Sequence, residues 1–272
     1  MYISVIISTY NQPEWLEKVL YGYNQQTYKD FEVIIADDGS RQETFVLIEK
    51  MKELMSFPIK HIWHPDNGFR KCTILNKAIL NSKGLYLVFS DGDCIPRSDF
   101  LATHIKYHKP NFFLSAGLYR LNSQVSNKIS IRDIQKQSCF SLKFLRELGQ
   151  KRNFLKDLKF IKTPLFSFIM NSITPTNASW NGHNSSGWKK DIVQVGGFDE
   201  RMKYGGEDRE LGERLMNMGI KSKQIRYSAI CIHLDHNRGY VRQEDWTINK
   251  KIRLQTKKNH SCYTPYGIDQ NK

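Results

Sequence analysis

The chain has 272 residues, 40% of them hydrophobic, and a formal net charge of +14 at pH 7. That is enough apolar material for one large core, and no run of about 18 apolar residues is present, so a membrane-spanning helix is not expected. Five cysteines (Cys72, Cys94, Cys139, Cys231, Cys262) form an odd, scattered set with no CxxC, which argues against a disulfide framework and for a reducing cytoplasm. The positive charge suits a phosphate-bearing substrate or an anionic membrane surface. Without an Arg-rich block or a recognised nucleic-acid motif, nucleic acid is not the expected partner.

In chain order, Met1-Tyr2-Ile3-Ser4-Val5-Ile6-Ile7 lacks a basic leader and a cleavage site and reads as a strand over 3–8 rather than a signal peptide. A helix is expected over 13–25, with Pro13 suited to a first turn. Strands follow at 31–36, 59–63 and 85–90, with helices at 41–54 and 72–80 between them. This βαβαβαβ order implies a mostly parallel sheet with helices on both faces. Residues 111–118 read as a further strand. Residues 123–170 read as two helices or a helical insertion, and the polar stretch 171–184 as a loop. A helix is expected over 207–218, a strand over 228–233, and after 243 a charged tail, helical at first and then frayed.

The chemistry-bearing residues fall at expected strand ends, where open α/β sheets bind ligands. Ser8-Thr9-Tyr10-Asn11 ends the first strand, where backbone donors favour an anion or a nucleotide edge. Asp37-Asp38-Gly39-Ser40 ends the second; it reads as a solvated, capped turn or as a carboxylate accepting bonds from a base or ribose. His64-Pro65-Asp66-Asn67-Gly68-Phe69-Arg70-Lys71 ends the third. Gly68 permits an unusual turn there, and Arg70 and Lys71 enter a helix whose start could face a diphosphate. Asp91-Gly92-Asp93 ends the fourth. Two carboxylates flanking a glycine suit a divalent cation, with Asp93 as the favoured ligand and Asp91 on the ribose or a metal-bound water. Downstream, Gly205-Gly206-Glu207-Asp208 puts carboxylates at a helix start, where they act as dipole partners or as a general base on a hydroxyl. His233-Leu234-Asp235-His236 offers imidazoles, which suit Mn²⁺ better than Mg²⁺. His233 is favoured over His236, and both reach one site only if the segment leaves the strand.

As a set these motifs resemble glycosyltransferase family 2, over roughly residues 1–120 and 180–240. The segment from Gly197-Phe198-Asp199-Glu200 to Asp208 is also similar to the carboxyl-terminal region of β-galactosyltransferases and to chondroitin-polymerase-type domains. The resemblance implies an α/β GT-A fold: a mostly parallel, Rossmann-like sheet flanked by helices. It implies one domain over 1–240, with a nucleotide-binding half (1–120), an insertion (123–170) and a catalytic half (180–240), followed by a tail at 241–272. It implies nucleotide-sugar contacts from Thr9, Tyr10, Asn11, Asp37, Asp38, Gly68, Arg70, Asn76, Asp91 and Gly92. Asp93 and His233 would hold Mn²⁺ or Mg²⁺, with Asp91 and His236 as secondary candidates. Asp208 would be the base, Glu207 would bind sugar hydroxyls, and Trp188 and Gly206 would face the acceptor. One departure is that Leu75 precedes Asn76 where relatives often place Arg, which leaves a diphosphate contact to Arg70 or Lys77.

The expected activity is therefore metal-dependent, inverting transfer from a UDP-sugar, with galactose or N-acetylgalactosamine as the donor sugar. The acceptor would be a saccharide or lipid-linked saccharide in surface polysaccharide or lipopolysaccharide assembly. The basic, aromatic stretch 142–168 reads equally as a surface for an anionic membrane or as a lid or dimer contact, so the expected location is the cytoplasm or the inner membrane face. A retaining transferase or nucleotidyltransferase would share the cation site without needing Asp208. A basic nucleic-acid-binding protein is the remote non-enzyme alternative.

Overall fold

β1 (Ile3–Thr9), α1 (Pro13–Asn24), β2 (Phe31–Asp37), α2 (Gln42–Leu54), β3 (Ile59–Trp63), α3 (Lys71–Asn81) and β4 (Tyr86–Asp91) alternate in the computed structural model, which describes residues 1–236 and 242–271. β1, β2 and β4 are largely apolar on both faces because helices cover both, while β3 (Ile-Lys-His-Ile-Trp), at the sheet edge, is only partly buried. Ile3, Val5, Ile7, Val33, Ile35 and Val88 feed one core. Ile6, Ile34, Ala36, Leu87 and Phe89 feed the other. The side-chain period of two makes this division, and a parallel sheet buried on both sides requires it.

β1 pairs in parallel with β2 on one side and with β4 on the other, and β3 lies outside β2. The chain thus moves outward from β1 in both directions. That creates a topological switch point beyond Thr9 and Asp91, where such sheets bind ligands.

The second half extends this frame. It runs β5 (Cys94–Pro96), α4 (Phe100–Tyr107), β6 (Phe112–Ser115) and β7 (Gly117–Arg120), then the short helices α5 (Ser123–Lys128), α6 (Ile131–Gln135), α7 (Leu142–Glu147), α8 (Phe154–Asp157) and α9 (Pro164–Ile173). It ends with β8 (Asn184–Trp188), α10 (Lys189–Gln194), α11 (Glu207–Asn217), β9 (Lys221–Gln224), β10 (Ile230–His233) and α12 (Gln243–Lys258). The large sheet has the order β3-β2-β1-β4-β8-β6-β9, with β8 antiparallel to both neighbours. β5, β10 and β7 form a small second sheet.

Several expectations are revised. The single strand at 111–118 is two strands in two sheets, broken where a Cβ on Gly117 would meet the Arg226 carbonyl oxygen at 2.5 Å. The insertion at 123–170 holds five short helices rather than two, and its last one runs to Ile173, into the expected loop. β8 was unforeseen: Asn-Ser-Ser-Gly-Trp has little strand propensity, but β4 and β6 pair with it on both sides. The segment after 241 is not a frayed tail. Asn249, Ile252, Thr256 and Ile268 are buried, and Asn249 Nδ2 donates to the carbonyls of Lys203 and Gly205. Lys250, Lys251, Lys257 and Lys258 lie on the exposed face of this helix, while Asp245 is buried and Arg253 pairs with Glu213 of α11. The boundary expected at 240 falls outside the described residues. Among the described residues no helix is long and apolar enough to cross a membrane.

Candidate active site

The carboxyl end of β2 is organised by two carboxylate–imidazole pairs. Asp37 Oδ2 lies 3.0 Å from His61 Nε2, and Asp38 Oδ1 lies 2.7 Å from His64 Nε2. The other oxygens accept backbone N–H bonds: Asp37 from Ser40 at 2.8 Å and Asp38 from Arg70 at 2.9 Å. Asp38 thereby ties the β2 end to the start of α3. Each carboxylate oxygen has a second lone pair, so an incoming base or ribose could still be accepted. Gly39 has φ +93°, and a Cβ there would lie 2.6 Å from the Asp66 backbone, so the turn admits only glycine. Thr9 is buried and its carbonyl accepts from Asp38, while Tyr10 is exposed with its hydroxyl on Asp66. Asn11 takes φ +49°, and its Oδ1 accepts from the Arg41 N–H. Gly68 has φ +72° with open space around it.

At the end of β4, Gly92 N donates to the Ser8 carbonyl at 2.8 Å, holding the turn against β1. Asp91 Oδ1 accepts from Ser8 Oγ and from Lys71 Nζ, both at 2.7 Å. Burial opposes ionisation of Asp91, but Lys71 and Ser8 outweigh it and hold the carboxyl well below the usual range. Two residues on, Asp93 Oδ2 lies 2.8 Å from His236 Nε2 and 3.5 Å from His233 Nε2. β10 ends at His233, and the chain leaves strand geometry before His236, so both rings turn to one carboxylate and stack with centroids 5.7 Å apart. Asp93, His233 and His236 can each offer a ligand atom, all within 4.8 Å of one another. A carboxylate with two imidazoles is a borderline nitrogen–oxygen set that fits Mn²⁺, Fe²⁺ or Zn²⁺ better than Mg²⁺. Cys94 Sγ donates to Asp93 Oδ1 at 3.1 Å, which makes it a neighbour of the carboxylate.

Across the crevice stands the start of α11. Gly205 and Gly206 carry φ +114° and +96°, and a Cβ on Gly205 would lie 2.8 Å from the Trp246 ring. Glu207 Oε2 accepts from the Gly205 N–H at 2.8 Å. Asp208 Oδ2 accepts from Gly182 N at 3.0 Å and Oδ1 from Arg209 N at 2.7 Å. Burial and the adjacent Asp208 push Glu207 up to about 7. Burial raises Asp208 too, but its two backbone donors and Lys71 favour the ionised form. The net effect on Asp208 is a rise above the usual carboxylate range, caused by burial.

Lys71 joins the two sides. Its ammonium touches Asp91 and lies 3.6 Å from the Cβ position of Gly182, whose N–H holds Asp208. Burial alone would lower this lysine, but Asp91, Glu207 and Asp208 together keep it protonated above the ordinary value. The 181–183 loop is fixed because Asn184 donates to the carbonyls of Gly117 and Ala229 while its Oδ1 lies 3.0 Å from the buried His104 ring. That brings His183 beside the acids. Its imidazole is pushed down to about 4, chiefly by burial and against the pull of Asp91. No role was expected for His61, His64 or His183, because a single histidine carries no periodic signal, whether it sits in a strand, as His61 does in β3, or in a loop.

Two expected residues are not brought to the crevice. Trp188 pairs with Tyr86 at the start of β4. Asp91 is five residues further along, about 16 Å at strand rise. The Trp188 indole donates to the Lys109 carbonyl and packs on Tyr86 and His108, so it sits at the opposite end of the strands from Asp91 and is not an acceptor platform. Asn76 is fully buried and spends its amide on Phe198 N, the Phe198 carbonyl and Glu200. It clamps α3 to the segment before α11, leaving no group for a nucleotide. Leu75 beside it is core.

The family model for glycosyl transferase family 2 matches residues 4–172, well over half of the chain. The chain belongs to glycosyl transferase family 2. A model described as the N-terminal domain of galactosyltransferase matches residues 173–237 of this family 2 chain. The uncharacterized glycosyltransferase YfnE of Bacillus subtilis (strain 168) is 28% identical over 261 residues, covering 87% of this chain and 65% of the relative. Chondroitin synthase of Escherichia coli is 25% identical over 272 residues, covering 93% of this chain and 37% of the relative. The chain thus spans less than two thirds of either relative's own length. Among solved structures, the Pyrobaculum calidifontis mannosyltransferase PcManGT in complex with GDP-Man and Mn²⁺ matches with TM-score 0.60 and 17% identity, covering 93% of this chain and 61% of that one. S. aureus TarS 1-349 in complex with UDP-GlcNAc matches with TM-score 0.60 and 17% identity, covering 96% and 69%. At that identity the likeness is one of fold, and the fold is GT-A.

Proposed function

We propose that this family 2 chain transfers a sugar from a UDP-sugar to a saccharide hydroxyl with inversion at the anomeric carbon. The observation that carries the reading is the convergence on Lys71 of Asp91 from one wall and Asp208 from the other. Asp93, His233 and His236 would hold the cation, Mn²⁺ in preference to Mg²⁺ by their donor set. Once bound there, such a cation neutralises charge developing on the departing diphosphate. Lys71, at the start of α3, adds a fixed positive charge to the same end of the donor. Asp37 and Asp38 would receive the base and ribose, and Asp91 the ribose or a metal-bound water. Asp208 removes the proton of the acceptor hydroxyl as that oxygen attacks the anomeric carbon. Glu207 would bind a sugar hydroxyl. A single base facing away from the leaving group accounts for inversion.

Galactose or N-acetylgalactosamine is the donor sugar we favour. The match of residues 173–237 to a galactosyltransferase model and the likeness to chondroitin synthase support it. The acceptor we infer is a saccharide, free or lipid-linked, of surface polysaccharide or lipopolysaccharide assembly, met in the cytoplasm or at the inner membrane face. A thermal-shift panel of nucleotide sugars with and without Mn²⁺ identifies the donor, since stabilisation grows with ligand over dissociation constant. NMR of the product linkage with the wild type and with Asp208→Asn then tests the mechanism. The reading expects an inverted anomeric centre and a loss of about 10²- to 10⁴-fold in kcat. A retained centre with a loss of only a few-fold refutes it and favours a retaining transferase.

A further inference from the structure

We propose that α9 and the segment before it form a docking surface for an anionic lipid bilayer, independent of the catalytic reading. α9 is amphipathic in the inverted sense. Its inward face is fixed mainly by polar groups beside an edge-on Phe166–Tyr227 contact: Ser167 Oγ donates to the Tyr227 carbonyl, Asn171 Nδ2 to Ser228 Oγ, and Asn171 Oδ1 accepts from the Tyr227 N–H. Its apolar face points outward. Leu165, Phe168, Ile169 and Ile173, at the i, i+3, i+4, i+8 spacing of one helical stripe, are 67%, 62%, 44% and 65% exposed. Just upstream, Phe154 and Leu155 are 68% and 71% exposed. Consecutive apolar side chains left this open on a short segment mark a surface that something covers.

The charges around the patch identify the occupant. Lys151, Arg152, Lys156 and Lys162 are exposed within the same stretch. Its one acid, Asp157, is turned inward onto Arg146 and the Tyr119 hydroxyl. An apolar stripe bordered by cations is what the headgroup and acyl boundary of an anionic bilayer accepts. Self-association through this face would bring two such cationic borders together on chains of net charge +14 each, which disfavours a second copy. The surface also lies next to the site in sequence: α9 leads directly into the loop that carries Gly182 and His183. Docking would set the crevice beside the bilayer, within reach of an acceptor anchored there.

Co-sedimentation of the full chain with vesicles tests this, comparing phosphatidylcholine alone with phosphatidylcholine containing phosphatidylglycerol, at low and high salt. The expected result is sedimentation with the anionic vesicles that falls with salt. Quadruple Leu165→Ser, Phe168→Ser, Ile169→Ser, Ile173→Ser or quadruple Lys151→Gln, Arg152→Gln, Lys156→Gln, Lys162→Gln variants should each weaken it by about tenfold or more, with the thermal midpoint held. Wild-type chain that stays in the supernatant with anionic vesicles overturns the proposal without any variant. So does binding that the serine variant leaves intact. A wild-type dimer that the serine variant dissociates would overturn it too, by giving the face to a second copy.

Discussion

Lys71→Met probes how the two walls of the crevice are coupled. Lys71 Nζ sits 2.7 Å from Asp91, and both side chains keep about a fifth to a quarter of their surface exposed (21% and 24%). Breaking a fully buried pair costs about 3–5 kcal/mol; with this much solvent access about 2 kcal/mol is the expected loss of stability. The chemical effect is more diagnostic. An opposite charge within about 4–6 Å shifts a carboxyl by about 1–3 pH units. Lys71 touches Asp91 and only neighbours Glu207 and Asp208, so the lower end applies and the pair should rise by about one unit when the ammonium is removed. A rate that needs ionised Asp208 then shows an acid limb about one unit higher, and about tenfold less activity at a fixed pH on that limb. The assay is kcat/KM measured from about pH 5.5 to about pH 9 for wild type, Lys71→Met and Lys71→Arg, with arginine restoring the wild-type limb. A uniform loss at every pH, with the limb unmoved, would refute the coupling.

Other outcomes follow from individual contacts. Glu207 has its carboxyl raised from 4.5 to about 7, so between those values the folded chain keeps a proton that the unfolded chain has lost. Its contribution is most favourable below the unfolded value and declines as pH rises through that window, by about 2–3 kcal/mol in all. Glu207→Gln should therefore raise the thermal midpoint at about pH 8 and change it little at about pH 4, and equal shifts at both would contradict the assignment. Asn76→Ala removes three hydrogen bonds from a buried amide and should cost about 2–4 kcal/mol in denaturant melts while leaving UDP affinity within a few-fold. Trp188→Phe should leave the acceptor KM unchanged, since the ring lies at the far end of β4; a several-fold rise would restore it to the acceptor site.

The parts legible in the sequence share a physical cause. β1, β2 and β4 are apolar runs closed by polar residues and Gly, and a parallel sheet places such closures side by side; hence Asp38, Asp91 and Asp93 were found together. The carboxylates of 207 and 208 were legible because two glycines with left-handed backbone precede a helix start. What was illegible depends on partners distant in sequence. β8 becomes a strand only through β4 and β6. Trp188 was assigned to the acceptor by family resemblance, and nothing local says which end of the sheet it occupies. Asn76 looked like a ligand because its clamp partners, Phe198 and Glu200, lie more than a hundred residues away. His183 emerges only once Asn184 pins its loop across two sheets.

In the proposed mechanism Asp93, His233 and His236 hold a cation through which a nucleoside diphosphate is bound in the crevice that Asp208 serves. Calorimetric titration of UDP into the wild type and Asp93→Asn, each with Mn²⁺ and with chelator, tests it most directly. UDP affinity is expected to be about tenfold or more higher with Mn²⁺ in the wild type, with no such gain in Asp93→Asn. Equal UDP affinity with and without Mn²⁺ in the wild type, or a full Mn²⁺ gain surviving in Asp93→Asn, would contradict it.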